Sequence, residues 1–421
     1  MAKSAIVIGA GLSGIQVAQQ LTDLGVVVHL IEKEPVIGGL SNQLGRVFPT
    51  GDCALCLDAS AEIFDGHHRR CQYRALVTEK KDLHLHTMTE VTSIKKGEDG
   101  FKVSIRSHPR HVLLDQCVVC LECIEVCDVT VPNEFDMRGG VRKAIYRPIP
   151  QGVPLAPLID MEHCTKCGKC VEVCRVNAID LEAEGHTKTI KADALVLATG
   201  VGEKQPRDFP GYDYELSDDI ITQAELARLL DPASDTGGSV TTSSGAVASN
   251  VTMVLCAGSR DLSSFDYCSR ACCTYSLKHA GMLRDLGIDV TICYMDLRVP
   301  RSSEHYLTEA REKGVRFLRG KPDRVRATDG RPVTIVEDTQ SQKRMQIESD
   351  LVVLATPLNP HAKESGPLAE FLDSHGFATD LAEVKGVYAC GTATGPADIP
   401  TSIAEANAVA LQVYSDLEGG V

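Results

Sequence analysis

Ala5-Ile-Val-Ile-Gly9-Ala-Gly11-Leu-Ser-Gly14, near the start of the chain, is the stretch whose reading decides the fold. Its four apolar residues have the character of a short buried strand, and the glycines that of a tight turn. A helical pattern then runs through Leu24, Gly25 supplies its C-cap, and Val26 to Ile31 forms a second strand ending at Glu32. Strand, turn, helix, strand and acid, in that order, are what a G-x-G-x-x-G dinucleotide motif requires. Gly9, Gly11 and Gly14 let the backbone approach a pyrophosphate held on the helix N-terminus. Glu32 is placed to accept hydrogen bonds from ribose hydroxyls. Glycine turns alone are common, so it is the complete context that carries the reading.

The remaining composition narrows the class. A chain of 421 residues, 43% of them hydrophobic, is long enough for two to three domains and too apolar for wholesale disorder. Its longest apolar runs, Ala194 to Ala198 and Leu351 to Ala355, are strand-sized, far below the roughly 20 residues of a membrane helix. Met1-Ala-Lys-Ser leads directly into the first strand, so no signal peptide is expected. The net charge of −14 argues against nucleic acid, whose phosphates need a Lys/Arg surplus. A soluble, acidic, cytoplasmic protein without a membrane span is the expectation.

Seventeen cysteines without an export signal point to metal or redox work rather than disulfide staples. Cys117, Cys120, Cys123 and Cys127 read C-x2-C-x2-C-x3-C, and Cys164, Cys167, Cys170 and Cys174 repeat it. Thiolates so spaced wrap a loop around one [4Fe-4S] cubane, and in paired arrangements the fourth Cys ligates the other cluster. The expected sets are therefore Cys117/Cys120/Cys123 with Cys174, and Cys164/Cys167/Cys170 with Cys127. Zinc also uses C-x2-C pairs, but rarely four Cys in such a run. One departure is that Asp128 and Arg175 stand where a Pro usually follows the fourth Cys.

Several later segments are similar to those of two-domain flavin disulfide reductases, which favours FAD over NAD. Glu32 to Gly38-Gly39 resembles their extension beside the flavin ribityl chain. Asp193 to Thr199-Gly200 resembles their crossover, Gly386 to Gly391 their ribityl-contacting strand, and Pro400 to Leu411 the helix aimed at the flavin. Ser13, Lys33, Leu40, Val91 and Ile403 complete the expected FAD contacts. A second, smaller dinucleotide fold is expected from Val251–Leu255, a helix at Ser276–Leu286, and strands at Ile288–Tyr294 and Asp350–Thr356. Its connecting loop lacks the phosphate-binding glycines and carries Cys256, Cys268, Cys272 and Cys273 instead. Direct NAD(P)H oxidation is therefore not expected. Four thiolates where a strand end meets a helix N-terminus suit a third cluster, whose negative charge the helix dipole offsets; plain buried cysteines are the alternative.

With these motifs in hand, the chain resembles the A-type subunit of heterodisulfide reductase. The resemblance rests on Phe48-Pro-Thr-Gly-Asp-Cys53-Ala-Leu-Cys56, Val131 to Asp136, Arg142 to Tyr146, Cys256 to Asp261 and Tyr267 to Tyr275. It implies that Cys256, Cys268, Cys272 and Cys273 hold a cubane near the flavin. It further implies that Lys278 lies by the flavin N5 with Glu225 as its acidic partner. B- and C-type subunits, and a hydrogenase, dehydrogenase or ferredoxin as donor or acceptor, are implied partners, with a homodimer inside the larger assembly. Compared with longer members, the chain reads as a compact version with fewer electron exits.

The expected class is an α/β two-dinucleotide-fold FAD protein with an inserted two-cluster ferredoxin domain. The expected division is 1–108, 183–248 and 358–421 for the FAD domain, 109–182 for the insertion, and 249–357 for the degenerate nicotinamide-type domain. Asp231 to Asn250, rich in small polar residues, reads as a surface loop without function. Cys53 and Cys56 read equally as a redox pair or as structural residues. The implied function is an electron-distributing subunit that converts between two-electron flavin and one-electron cluster transfer. Bifurcation, a sulfur-oxidising direction, a self-contained thiol reductase and a simple relay remain open.

Overall fold

The computed structural model describes residues 3–45, 81–97, 100–137, 140–149, 152–232, 234–300, 303–328, 330–379, 381 and 384–419. Cys53, Cys56, Cys71 and the His67-His68 pair lie outside them.

The opening strand, Ser4–Ile8, sits in the middle of a parallel sheet, flanked by Val27–Ile31 and Ala194–Leu197. Leu83–His86 and Val387–Ala389 form the two edges. A central parallel strand must be apolar on both faces, and this one is. Ala5 and Val7 point into a core with the helix Leu12–Asp23 and the long helix Ile399–Leu417. Ile6 and Ile8 point the other way, against Phe101, Val103, Ile105 and Ile190 of an antiparallel three-stranded sheet. Alanines at 18, 406 and 410 in the first core are small enough to let the two helices approach closely.

The cysteine-rich insertion leaves and re-enters at that antiparallel sheet. Ser107, ending one strand, is in register with His186, beginning the next, so exit and entry lie side by side, as an insertion requires. It is also keyed into the body of the molecule: Ile149 and Val153 are buried in the first core, and Phe135 packs against it. The buried Arg110 guanidinium donates to the Pro35 carbonyl.

A second parallel sheet runs Ile220–Thr222, Leu351–Leu354, Asn250–Val254, Asp289–Tyr294, Arg316–Arg319 across its width. The helix Cys272–Asp285 packs on it through Leu277, Ala280 and Leu283. This helix begins four residues before the expected Ser276. Ala271 at its N-cap makes no side-chain capping bond, so the boundary carries no capping signal. The final helix likewise outruns its expected end at Leu411; Asp398 caps its start by accepting the Thr401 N–H at 2.9 Å. The 231–250 segment is not a plain surface loop, because Val240 and Ala248 are buried in the second core. The short antiparallel pair Val201–Glu203 and Leu358–Pro360 joins the two sheets' units.

Candidate cofactor cavity and cysteine sites

Where the two dinucleotide folds and the insertion meet, the molecule encloses a cavity of about 1380 Å³. The glycine turn forms one wall. Gly9 takes φ +99°, and a Cβ there would lie 2.3 Å from the Ala198 carbonyl oxygen. At Gly14 a Cβ would come within 1.9 Å of the Gly9 oxygen, so this close strand–helix approach admits only glycine. Gly11 differs: a Cβ would meet nothing within 4 Å, and the space it would enter belongs to the cavity. That open cradle at a helix N-terminus fits a phosphate. Beside it, the buried Glu32 carboxylate accepts the Ala10 N–H at 2.8 Å and the Glu34 N–H at 2.9 Å. Burial raises its pKa. Asn42 adds a buried side-chain oxygen on the same wall with no hydrogen-bond partner among the described residues.

Gly9, Gly11, Ser13, Glu32, Lys33, Gly39, Leu40, Val91, Thr199 and Gly200 all line this cavity. Gly14, Gly391 and Ile403 do not. Gly391 backs the wall instead, at φ +63°, its N–H donating to Glu405 at 3.1 Å and its Cα face against Ser13. Ile403 stands half-buried on the last helix.

Lys278, on the cysteine helix, reaches the cavity, and burial pushes its ammonium down to about 8. Glu225 is not part of the wall. It completes a capping box: its carboxylate takes the Thr222 N–H at 2.6 Å while Thr222 accepts the Glu225 N–H at 3.3 Å. The Tyr214 hydroxyl bonds its other oxygen at 2.8 Å. An acid beside this helix start that does line the cavity is Glu203, unanticipated from the sequence. Burial raises its pKa to about 7 against the pull of the Thr222 hydroxyl and the Ala224 N–H. A lone acid following Thr199-Gly200 was the only signal, and burial of that kind is set by tertiary packing.

The insertion contributes the opposite wall through Asn133, Glu134, Phe135 and Met137. Asp136 between them bonds Arg228 of the second unit at 2.8 Å, and Arg228 also bonds Asp231 at 2.7 Å. The guanidinium lies 4.8 Å over the Phe135 ring.

Within the insertion, the two cysteine runs fold as near copies. Val119 and Leu121 have φ of +58° and +67°; Lys166 and Gly168, at the same offsets in the second run, have +53° and +81°. Each loop then starts a short helix, Glu122–Glu125 and Lys169–Val173. The cysteines at 117, 123, 127, 164, 170 and 174 gather around a small core of Val112, Ile145, Ala156, Ile159 and Ile179. Where Pro was expected, Asp128 pairs with Lys169 and Arg175 with Glu122 at 3.1 Å, each bonding the helix of the other run. Lys169 is near both Cys167 and Cys127. Among the described residues no group of three or more His, Cys, Asp or Glu closes on a single ion. Four thiols in each run, at C-x2-C-x2-C-x3-C spacing and three of them gathered on one small core, are a donor set that fits a cubane.

In the second unit, Cys256, Cys272 and Cys273 form a chain of thiol contacts, with Arg260 also on Cys256. The Arg298 N–H donates to Cys273 at 3.4 Å. The loop from Cys256 doubles back: Arg260 N–H bonds the Tyr267 carbonyl at 3.0 Å, and the Ser259 and Ser269 hydroxyls meet at 3.3 Å. That return brings the Cys268 segment alongside Cys256. Arg270, at φ +58°, donates its N–H to Cys268 at 3.3 Å, as Lys166 does to Cys164 at 3.4 Å. One turn thus recurs in both cysteine-bearing units.

Two solved structures share the fold along nearly the whole chain. The thioredoxin reductase of T. acidophilum covers 98% of this chain at 14% identity and a TM-score of 0.52. That of Lactococcus lactis covers 99% at 12% identity and the same TM-score of 0.52; each is itself covered to 99%. Residues 7–77 match the NAD(P)-binding Rossmann-like domain, and residues 157–180 the 4Fe-4S binding domain. The class is therefore a two-dinucleotide-fold protein of thioredoxin reductase type with a 4Fe-4S binding insertion. The A-type iron-sulfur subunit of the CoB–CoM heterodisulfide reductase of Methanocaldococcus jannaschii is 37% identical over 437 residues, 99% of this chain. The A-type subunit of the H(2)/formate:CoB-CoM heterodisulfide,ferredoxin reductase of Methanococcus maripaludis is 36% identical over 438 residues, again 99% of this chain. The chain is thus a homologue of these heterodisulfide reductase A-type subunits along 99% of its own length, and it spans 65% of the length of each of these two relatives. No described helix is long and apolar enough to cross a membrane.

Proposed function

We propose that the chain is an FAD- and [4Fe-4S]-containing electron-distributing subunit of a heterodisulfide reductase-like complex. The observation that carries this is the shared cavity, walled jointly by the glycine turn, the cysteine insertion and the cysteine helix. A dinucleotide held there lies against both cysteine-bearing units. The glycine cradle and helix N-terminus would hold its pyrophosphate, and Glu32, already fixed by two backbone amides, its ribose. FAD, when bound, supplies two-electron chemistry, and the clusters exchange single electrons.

Cys117, Cys120 and Cys123 with Cys174, and Cys164, Cys167 and Cys170 with Cys127, would hold the two insertion clusters. The cross-run contacts of Lys169 support that exchange of the fourth ligand. Cys256, Cys268, Cys272 and Cys273 would hold the third. The helix N-terminus at Cys272 places positive dipole on those thiolates, and Arg260 adds full charge beside Cys256. Lys278 brings a removable proton and a positive charge to the cavity. The domain division at 108/109, 182/183, 248/249 and 357/358 belongs to this reading. B- and C-type partner subunits, a hydrogenase, dehydrogenase or ferredoxin as donor or acceptor, homodimerisation and a cytoplasmic location belong to it as well.

The test is iron, acid-labile sulfide and FAD on anaerobically purified protein. About 12 irons per FAD, at four per cubane, is the expected result. About 8 would remove the third cluster, and Cys256→Ser then separates that case from partial loading. Absence of FAD would overturn the reading.

A further inference from the structure

We propose that Glu203 is the residue that holds and releases the proton accompanying two-electron chemistry in this cavity. The inference rests on the FAD reading above and adds a role to a residue that reading does not use. Glu203 ends the link strand Val201–Glu203, in register with Leu358, so it sits at the joint between the two dinucleotide folds. Its carboxylate accepts the Ala224 N–H at 3.0 Å, at the start of the helix Gln223–Leu229. The Thr222 hydroxyl already accepts the Glu225 N–H, leaving its own proton to donate to Glu203. The part of Glu203 that is not packed faces the cavity, whose wall it shares with Lys278 and Tyr275. The Tyr275 hydroxyl is buried, has no hydrogen-bond partner among the described residues, and is near enough to Glu203 and to the thiols of Cys256, Cys272 and Cys273 to feel the charge of each.

A carboxyl so placed is poised between two forms. Burial disfavours the anion, while the donors on it favour the anion, and the balance falls near neutral pH. The charged and titratable groups around it are Glu225 on the capping helix, and Tyr275, Lys278 and His279 on the cysteine helix. His361, after the partner strand, packs on Gly202, and Lys204 follows in the chain. Glu225 opposes ionisation of Glu203.

When FAD is bound, its reduction by two electrons from the iron–sulfur sites would take up one proton, and the Glu203 carboxyl would give it. The Glu203 carboxylate left behind regains its proton from bulk water, so charge and protons balance. Reduction would also leave negative charge in the cavity, which raises the Glu203 pKa, and a group whose pKa differs between the two redox states bends the dependence of the flavin potential on pH.

The experiment uses the FAD-loaded chain and follows the flavin midpoint potential by absorbance across the neutral range. The wild type is expected to show a bend near pH 7, absent in Glu203→Gln at unchanged FAD per chain. The same bend in Glu203→Gln would overturn the proposal. Should that variant lose FAD, the infrared difference spectrum on reduction replaces it. A carboxylic acid band that changes in wild type and moves in Glu203→Asp supports the role, and no carboxyl change in wild type overturns it. A wild-type chain that takes up no FAD overturns the cofactor reading as well, and shows itself first, as missing flavin absorbance.

Discussion

Replacing Arg228 by Met should loosen the contact between the insertion and the second dinucleotide unit. Arg228 is 6% exposed, and Asp136 and Asp231, its two carboxylate partners, are 10% and 15% exposed. Removing one member of a buried ion pair costs about 3–5 kcal/mol, because the remaining charge stays out of water. The lost stacking on Phe135 adds about 0.5–1 kcal/mol. At roughly 1.4 kcal/mol per tenfold, the opening equilibrium around Asn133–Met137 and Gln223–Leu230 should rise by about 10²-fold or more. Amide hydrogen exchange reads this locally, without assuming that so large a chain unfolds in one step. Reporter amides are Leu230, bonded to Leu226 at 3.0 Å, and Asp136, bonded to Asn133 at 3.1 Å. Adding Asp136→Asn and Asp231→Asn to Arg228→Met should restore much of the protection, since it removes the stranded charges. Protection in Arg228→Met within threefold of wild type would refute the argument.

Two further outcomes follow from the geometry. Gly14→Ala puts a Cβ 1.9 Å from a backbone oxygen, so it should lower FAD per chain at least tenfold, read by flavin absorbance; full loading would contradict the cradle. His29 and His86, 3.2 Å apart, are both held down to about 4, chiefly by burial, with the charges of His84 and Lys188 adding to it at both and that of His29 at His86. Their folded pKa lies below the unfolded value, so stability is complete above pH 6.5 and falls as pH drops toward 4. Both rings are partly exposed, so about 1–2 kcal/mol each is expected after screening. Melting temperatures in that window should fall less steeply for His86→Gln, and an unchanged slope would count against this.

The glycine motif was legible because positive φ and a 1.9 Å approach leave no other residue type possible at such positions. The cysteine runs were legible because ligand chemistry fixes their spacing. Glu225 is a different case. Thr222-Gln-Ala-Glu225 is itself a capping-box pattern, and that local demand engages the carboxylate. Glu203 could not be read, since nothing local distinguishes a buried acid from an exposed one. Val240 and Ala248 were hidden by their polar neighbours, and the start of the cysteine helix by the lack of a cap. The ion pairs of Asp128 and Arg175 are long-range, so the sequence displayed only a missing proline.

The side-by-side exit and entry at Ser107 and His186 make the insertion a graft joined at a single hairpin. Cutting it out would ask almost nothing of the connecting backbone. Yet excision would uncover Ile149, Val153 and the seat of Phe135 in the host core, and take from Arg228 its Asp136 partner. A lineage that gained this piece with little change to its backbone can no longer shed it as easily, so the host and graft are bound to one another's history.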